Sequence, residues 1–124
     1  MFAEMWFYQR LLNLTWRDKR THVSILEQLN VKRELYGNIV KRKQIFFGNT
    51  MRSKNLKLVP YIIQGKLEGK RGRGRPRICY MDNVRQGTEM KMSSVLQACH
   101  DREGWREIVR NAARAANAHK DDAT

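Results

Sequence analysis

Acidic residues are scarce in this chain, and their scarcity is the first limit on its chemistry. Twelve Asp and Glu stand against 25 Lys and Arg in 124 residues, a formal net charge of +13. The five aspartates, Asp18, Asp82, Asp101, Asp121 and Asp122, include no pair in the apolar strand-turn context that holds two magnesium ions for phosphoryl transfer. Cysteine is equally sparse. Cys79 and Cys99 alone make no disulfide framework, and without a secretion signal the expected compartment is reducing. Cys79, Cys99, His100 and His119 could be imagined around zinc, but no CxxC or HxxxH spacing preorganises a tetrahedron, so incidental thiols and surface imidazoles are the plainer reading. No Ser-His-Asp or Cys-His arrangement can be argued from spacing, and no Gly-rich phosphate loop sits on a strand-to-helix turn. The expectation is a chain with no catalytic residues, no metal and no cofactor. Long apolar runs are missing too. The strongest, residues 1–14, is interrupted by Glu4, Gln9 and Arg10. It is too short to span a bilayer, and no small-residue cleavage site follows it. A nuclear or cytoplasmic protein without a membrane partner is expected.

What the chain has in excess is positive charge. A surplus of this size favours a polyanionic partner, and nucleic acid is preferred because no basic amphipathic helix with a purely apolar opposite face stands out. The charge is densest at Gly69-Lys70-Arg71-Gly72-Arg73-Gly74-Arg75-Pro76-Arg77, five cations in nine residues with no acid. The glycines let the backbone lie close to another surface, and Pro76 fixes φ where the segment must stay extended. Arg73-Gly74-Arg75-Pro76-Arg77 resembles the AT-hook, a short motif that lies in the narrow, strongly negative minor groove of AT-rich DNA. Two readings stand: a nucleic-acid contact loop, or a solvated basic connector between helices. Arg71, Arg73, Arg75 and Arg77 are the first candidates for phosphate or groove contact, with Lys66 and Lys70 next. Lys41, Arg42 and Lys43 form a second basic run, either a solvated face or part of the same surface.

The rest of the chain reads as helix. Residues 2–14 are apolar on almost every side, which suits a helix buried in something larger than this chain. Thr15 or Asp18 could end or restart it. Thr21 is an N-cap candidate for a helix over 22–29 with Val23, Ile25, Leu26 and Leu29 pointing one way, and Asn30 suits its exit. Residues 33–47 carry an apolar stripe of Leu35, Tyr36, Ile39, Val40, Phe46 and Phe47, with Gly48 as the stop. Residues 55–64 allow helix or strand, and Pro60 places any helix start there. Pro76 could open a helix through Ile78, Tyr80, Met81 and Val84 that stops near Gly87. Ser93 or Ser94 could cap 95–99. Asp101 is a good N-cap for a helix over 102–116 with Trp105, Ile108, Val109 and Ala112 inward, and 118–124 should fray. Trp6, Trp16 and Trp105 fall on helical faces as core or interface anchors. Phe46 and Phe47 could stack on bases, but core packing is the stronger reading. Strand-like alternation is weak throughout. The predicted fold is all-α, a small irregular helical domain with a basic Gly/Arg/Pro-rich loop.

Several segments in order resemble the C-terminal, post-palm region of the endonuclease–reverse transcriptases of LINE-type non-LTR retrotransposons. They are residues 3–18 with Trp6, Phe7, the Leu11-Leu12 pair and Trp16-Arg17-Asp18; 21–29; 33–52 with Phe46-Phe47-Gly48; 65–71; Asp82-Asn83; and Asp101-Arg102-Glu103-Gly104-Trp105-Arg106. The family commonly has histidine where Asn49 stands and tryptophan where Tyr80 stands. The resemblance implies thumb-proximal helices over 1–64, the hook-like loop over 65–77, and C-terminal helices with a tail over 78–124. It implies a nucleic-acid-binding piece of an RNA-directed DNA polymerase. Such a piece would grip template RNA or RNA–DNA duplex, and the catalytic palm and the endonuclease would lie elsewhere. The over-apolar first helix would then have either the palm or another copy of this chain as its partner. An independent AT-hook DNA-binding protein and a functionless element remnant are the alternatives.

Overall fold

A computed structural model describes residues 2–70 and 72–121, with side chains undescribed at Phe2, His119, Lys120 and Asp121. Among the described residues it holds seven α-helices, a short 3₁₀ turn and no strand, as the periodicities predict. The α-helices are α1 (Phe2–Leu11), α2 (His22–Leu29), α3 (Leu35–Arg52), α4 (Val59–Ile63), α5 (Tyr80–Thr88), α6 (Met92–Ala98) and α7 (Arg102–Asp121). The 3₁₀ turn spans Trp16–Asp18.

Local chemistry sets most of the boundaries. Asn13 (φ 51°) and Asn30 (φ 52°) take the left-handed conformation after α1 and α2. Each then closes a Schellman pair: Leu14 N–H donates to the Gln9 carbonyl at 2.9 Å, and Val31 N–H to the Leu26 carbonyl at 3.2 Å. Thr21 caps α2 by accepting from Ser24 N–H at 3.3 Å. Thr15 restarts the chain with Asp18. The Thr15 N–H (2.6 Å) and hydroxyl (3.0 Å) both donate to Asp18 Oδ2, which holds that carboxyl below the usual carboxylate range. Pro60 sits in the first turn of α4. Asp101 accepts from Glu103 N–H and Gly104 N–H, each at 3.2 Å, and so opens α7.

α3, α5, α6 and α7 share one core. Phe47, Met81, Val84, Val95, Cys99, Trp105 and Val109 form it. The axis of the fold is the α3–α7 pair. Gly37 meets Asn117 at one end and Gly48 meets Trp105 further along, so the two helices run antiparallel. Both glycines are there for closeness. A Cβ on Gly48 would collide with Trp105 Nε1, and one on Gly37 with Asn117 Oδ1. The indole instead lies against α3 and donates to the Gln44 carbonyl at 2.9 Å. Removing the Trp105 side chain would cost about 3–5 kcal/mol on the scale of buried aromatic truncations.

The structure corrects the sequence reading at several places. Gly48 does not end α3, which continues to Arg52; the glycine makes room for Trp105 instead. α5 begins at Tyr80 rather than Pro76, leaving Ile78 outside and 79% exposed, although it ends at Thr88, next to the expected stop at Gly87, which lies against Gln44 and Val40. α6 begins at Met92, so Ser93 and Ser94 lie inside it. α7 runs on to Asp121, past the predicted fraying point at 118, and 122–124 lie outside the described residues. Val23 and Leu35 face solvent. Trp105 is a core residue, whereas Trp6 and Trp16 are exposed, Trp16 at 82%.

Candidate nucleic-acid interface

The basic loop, residues 65–79, runs from α4 to α5, both of which pack on α3. Its start is fixed by α4. Gly65 (φ 69°) supplies the left-handed residue of a Schellman pair, with Lys66 N–H donating to the Tyr61 carbonyl at 3.0 Å. α4 in turn packs on the C-terminal half of α3, where Gln64 Nε2 reaches Met51 Sδ at 3.8 Å. Its end is fixed by α5. Cys79 N–H donates to Asp82 Oδ2 at 3.1 Å, and the Tyr80 hydroxyl donates to the Lys43 carbonyl at 3.0 Å. The Tyr80 ring also meets Phe46 edge-on, centroids 6.4 Å apart. Met51 and Lys43 are eight positions apart on α3, about 12 Å of helix rise. Both ends of the loop are therefore tied to a short stretch of α3.

Within that frame Lys66, Lys70, Arg73, Arg75 and Arg77 are all exposed, while Arg71 lies outside the described residues. Gly69 (φ 150°) and Gly74 (φ 142°) take conformations that residues with a Cβ rarely adopt, and nothing lies within 4 Å of where a Cβ would stand. Lys41, Arg42 and Lys43 are exposed as well. Successive helical residues turn by about 100°, so this run does not form one patch. Lys43 belongs to the turn clamped by Tyr80, beside the loop exit that carries Arg77. Lys41 lies on another side of α3, against α7.

On that side lies a feature the sequence reading missed, a groove of about 480 Å³ between α3 and α7. α3 lines it with Lys41, Ile45, Asn49 and Arg52. α7 lines it with Arg102, Arg106 and Arg110 above Trp105 and Val109. No acid is among the lining residues; Glu103 and Glu107 sit further round α7. Antiparallel packing puts Lys41 at the Arg110 end and Arg52 at the Arg102 end. Arg52 is anchored, donating to the Cys99 carbonyl at 2.5 Å and to Asn49 Oδ1 at 3.1 Å. The i, i+4, i+8 arginines of α7 were visible in the sequence. Their opposition to the 41, 45, 49, 52 stripe of α3 was not, because it depends on how the helices pack.

Of the two aromatics considered for base stacking, Phe47 is buried in the core and Phe46 is 55% exposed beside Tyr80. Burial raises the Tyr80 phenol above its ordinary pKa. Of the imagined zinc ligands, the His119 side chain lies outside the described residues. Cys99 is buried with Sγ donating to the Leu96 carbonyl at 3.0 Å, and Cys79 is exposed at the loop exit. Among the described residues no group of three or more His, Cys, Asp or Glu could hold a metal ion, and no helix is long and apolar enough to cross a membrane. No protein-family model, no curated protein and no solved structure matches the chain.

Proposed function

We propose that this protein is a nucleic-acid-binding module of a retrotransposon reverse transcriptase, gripping template RNA or RNA–DNA duplex without catalysis of its own. The observation that carries the binding role is the cationic loop, tied at both ends to α3 through α4 and α5, on which Lys66, Lys70, Arg73, Arg75 and Arg77 are exposed. The order of the segments that resemble the LINE-type region supports the parentage. The loop cations meet phosphates, and each contact releases condensed counterions. Four or five contacts give a slope of log K against log salt of about −4 on duplex DNA. Arg73→Ala with Arg75→Ala should lower that slope by about two. Fluorescence anisotropy on duplex DNA and on an RNA–DNA hybrid over a salt series reads both numbers. Unchanged affinity and slope in the double variant would refute a role for the loop.

A second reading has an observation of its own. The Gly74 conformation, between two arginines and ahead of Pro76, suits the close backbone approach of a minor-groove hook. A hook prefers AT-rich over GC-rich duplex, because the guanine amino group obstructs the groove floor, and Pro76→Ala weakens it. A clamp loses affinity evenly across sequences and is indifferent to Pro76. The clamp is the reading favoured here, since it also uses the cations of α3. The chain should extend no primer and cut no DNA, because its few carboxylates offer no paired metal site. Primer extension by purified protein, absent from mock-purified controls, would contradict this.

A further inference from the structure

We infer that the α3–α7 groove is a second nucleic-acid site, separate from the loop, that takes the phosphate backbone of a single strand. The inference rests on reading the chain as a nucleic-acid binder, but on different residues from those of the loop. Cations line both walls, Lys41 and Arg52 on α3 and Arg102, Arg106 and Arg110 on α7, with no acid between them. Arg102, Arg106 and Arg110 recur every four residues, about 6 Å of rise per step. A stretched strand repeats its phosphates on a similar scale. The floor is apolar, formed by Ile45 and Val109 with the Trp105 indole engaged by the Gln44 carbonyl, and Asn49 is the one uncharged polar side chain of the lining, so little is offered for reading bases. Helices in direct contact have axes about 8–10 Å apart. A furrow that narrow admits one strand between its walls, whereas a duplex reaches only the rims. The geometry therefore specifies a backbone-tracking site with little base preference, the pattern of general single-strand binders without the stacking platform. Arg52 is held in place by two of its five N–H groups, which donate to the Cys99 carbonyl and Asn49 Oδ1, so it contributes mainly fixed charge. Lys41, Arg106 and Arg110 make the contacts.

The test uses the full chain, a labelled oligouridylate, a labelled oligoadenylate, a mixed-sequence duplex and inorganic polyphosphate as competitor. Arg106→Ala with Arg110→Ala removes two contacts. It should weaken oligouridylate binding about tenfold and lower its salt slope by about 1.4, since each single-strand contact contributes about 0.7. Duplex binding should change by less than about twofold, and oligoadenylate should follow oligouridylate. Arg106→Lys with Arg110→Lys keeps the charge and should restore most of the affinity, and circular dichroism matching the parent shows that the alanine variant folds. Photocrosslinked oligouridylate should map to peptides of α3 or α7. Parent-like single-strand affinity in the alanine variant overturns the site. So does equal loss on duplex, crosslinks confined to 65–79, or tighter binding of polyphosphate than of oligouridylate. The loop variant Arg73→Ala with Arg75→Ala separates the two proposals. If it binds duplex normally while the α7 variant loses single strand, the groove stands and the loop reading falls.

Discussion

Gly48 shows how one missing atom group decides a contact. Gly48→Ala would push a methyl group into the Trp105 indole, which the Gln44 carbonyl holds in place. Overpacking of that kind costs about 1–3 kcal/mol, to be read by urea denaturation, while Gly72→Ala, which opens on empty space, should leave the midpoint unmoved. The two cysteines differ as sharply. Burial pushes the Cys99 thiol up, outweighing the opposite pull of the Arg52 guanidinium, while Cys79 is exposed. An alkylating reagent near pH 8 should modify Cys79 in the native protein and Cys99 only after unfolding. The same burial has a pH consequence. Cys99 and Tyr80 keep their protons in the folded state to higher pH than in the unfolded chain. Their share of stability is complete below the unfolded values, about 8.5 and 10, and is lost as pH rises through the higher folded values. Thermal stability should therefore fall on the alkaline side, and Tyr80→Phe should remove part of the later decline, Tyr8, whose phenol is also raised by burial, keeping a share of it. A Tm that stays flat from pH 8 to alkaline pH, or a Tyr80→Phe variant whose decline is no smaller than the parent's, would contradict it.

The caps divide into those readable from neighbouring residues and those supplied from afar. Thr21, Asn30, Pro60 and Asp101 act within a few positions, and the sequence alone located them. The start of α3 has no local cap; the Glu34 side chain makes no capping bond. Its N–H groups go to distant partners. Glu4 Oε1 accepts from Glu34 N–H at 3.1 Å and Leu35 N–H at 3.4 Å, and Asn117 Oδ1 accepts from Gly37 N–H at 2.9 Å. Both acceptors lie far away in the chain, which is why no pattern in residues 33–47 announces them. Glu4 thus ties α1 to the main bundle, with its charge at the positive end of the α3 dipole. Glu4→Ala should cost about 1–2 kcal/mol, and Asn117→Ala about 1 kcal/mol. Hydrogen exchange should show the first turn of α3 opening in each variant. Unaltered protection there would mean that solvent substitutes for these caps. The groove between α3 and α7 was hidden for the same reason, since the arginine ladder is legible but its facing wall is not.

Taken together, the helices make a four-helix core with α1 and α2 appended beside it. The appended pair is thinly held: Met5 and Ile25 are buried, but Phe7 is 62% and Leu11 is 71% exposed, with Trp6 at the same helix. The over-apolar character of residues 2–14 was plain in the sequence, and the structure leaves that character facing out. Apolar surface of this kind drives association. Sedimentation should show concentration-dependent self-association, reduced by Trp6→Gln with Phe7→Gln, and a monodisperse monomer unaffected by those changes would count against this view. One further property follows from the loop that joins α4 to α5. None of the core residues lies in 65–79, while α3 on one side of it and α5, α6 and α7 on the other are packed together. Covalent continuity through the loop is thus dispensable to the assembled fold. Limited trypsin should cut among its arginines and leave two pieces that still travel as one particle, and separately prepared halves should reconstitute by fragment complementation.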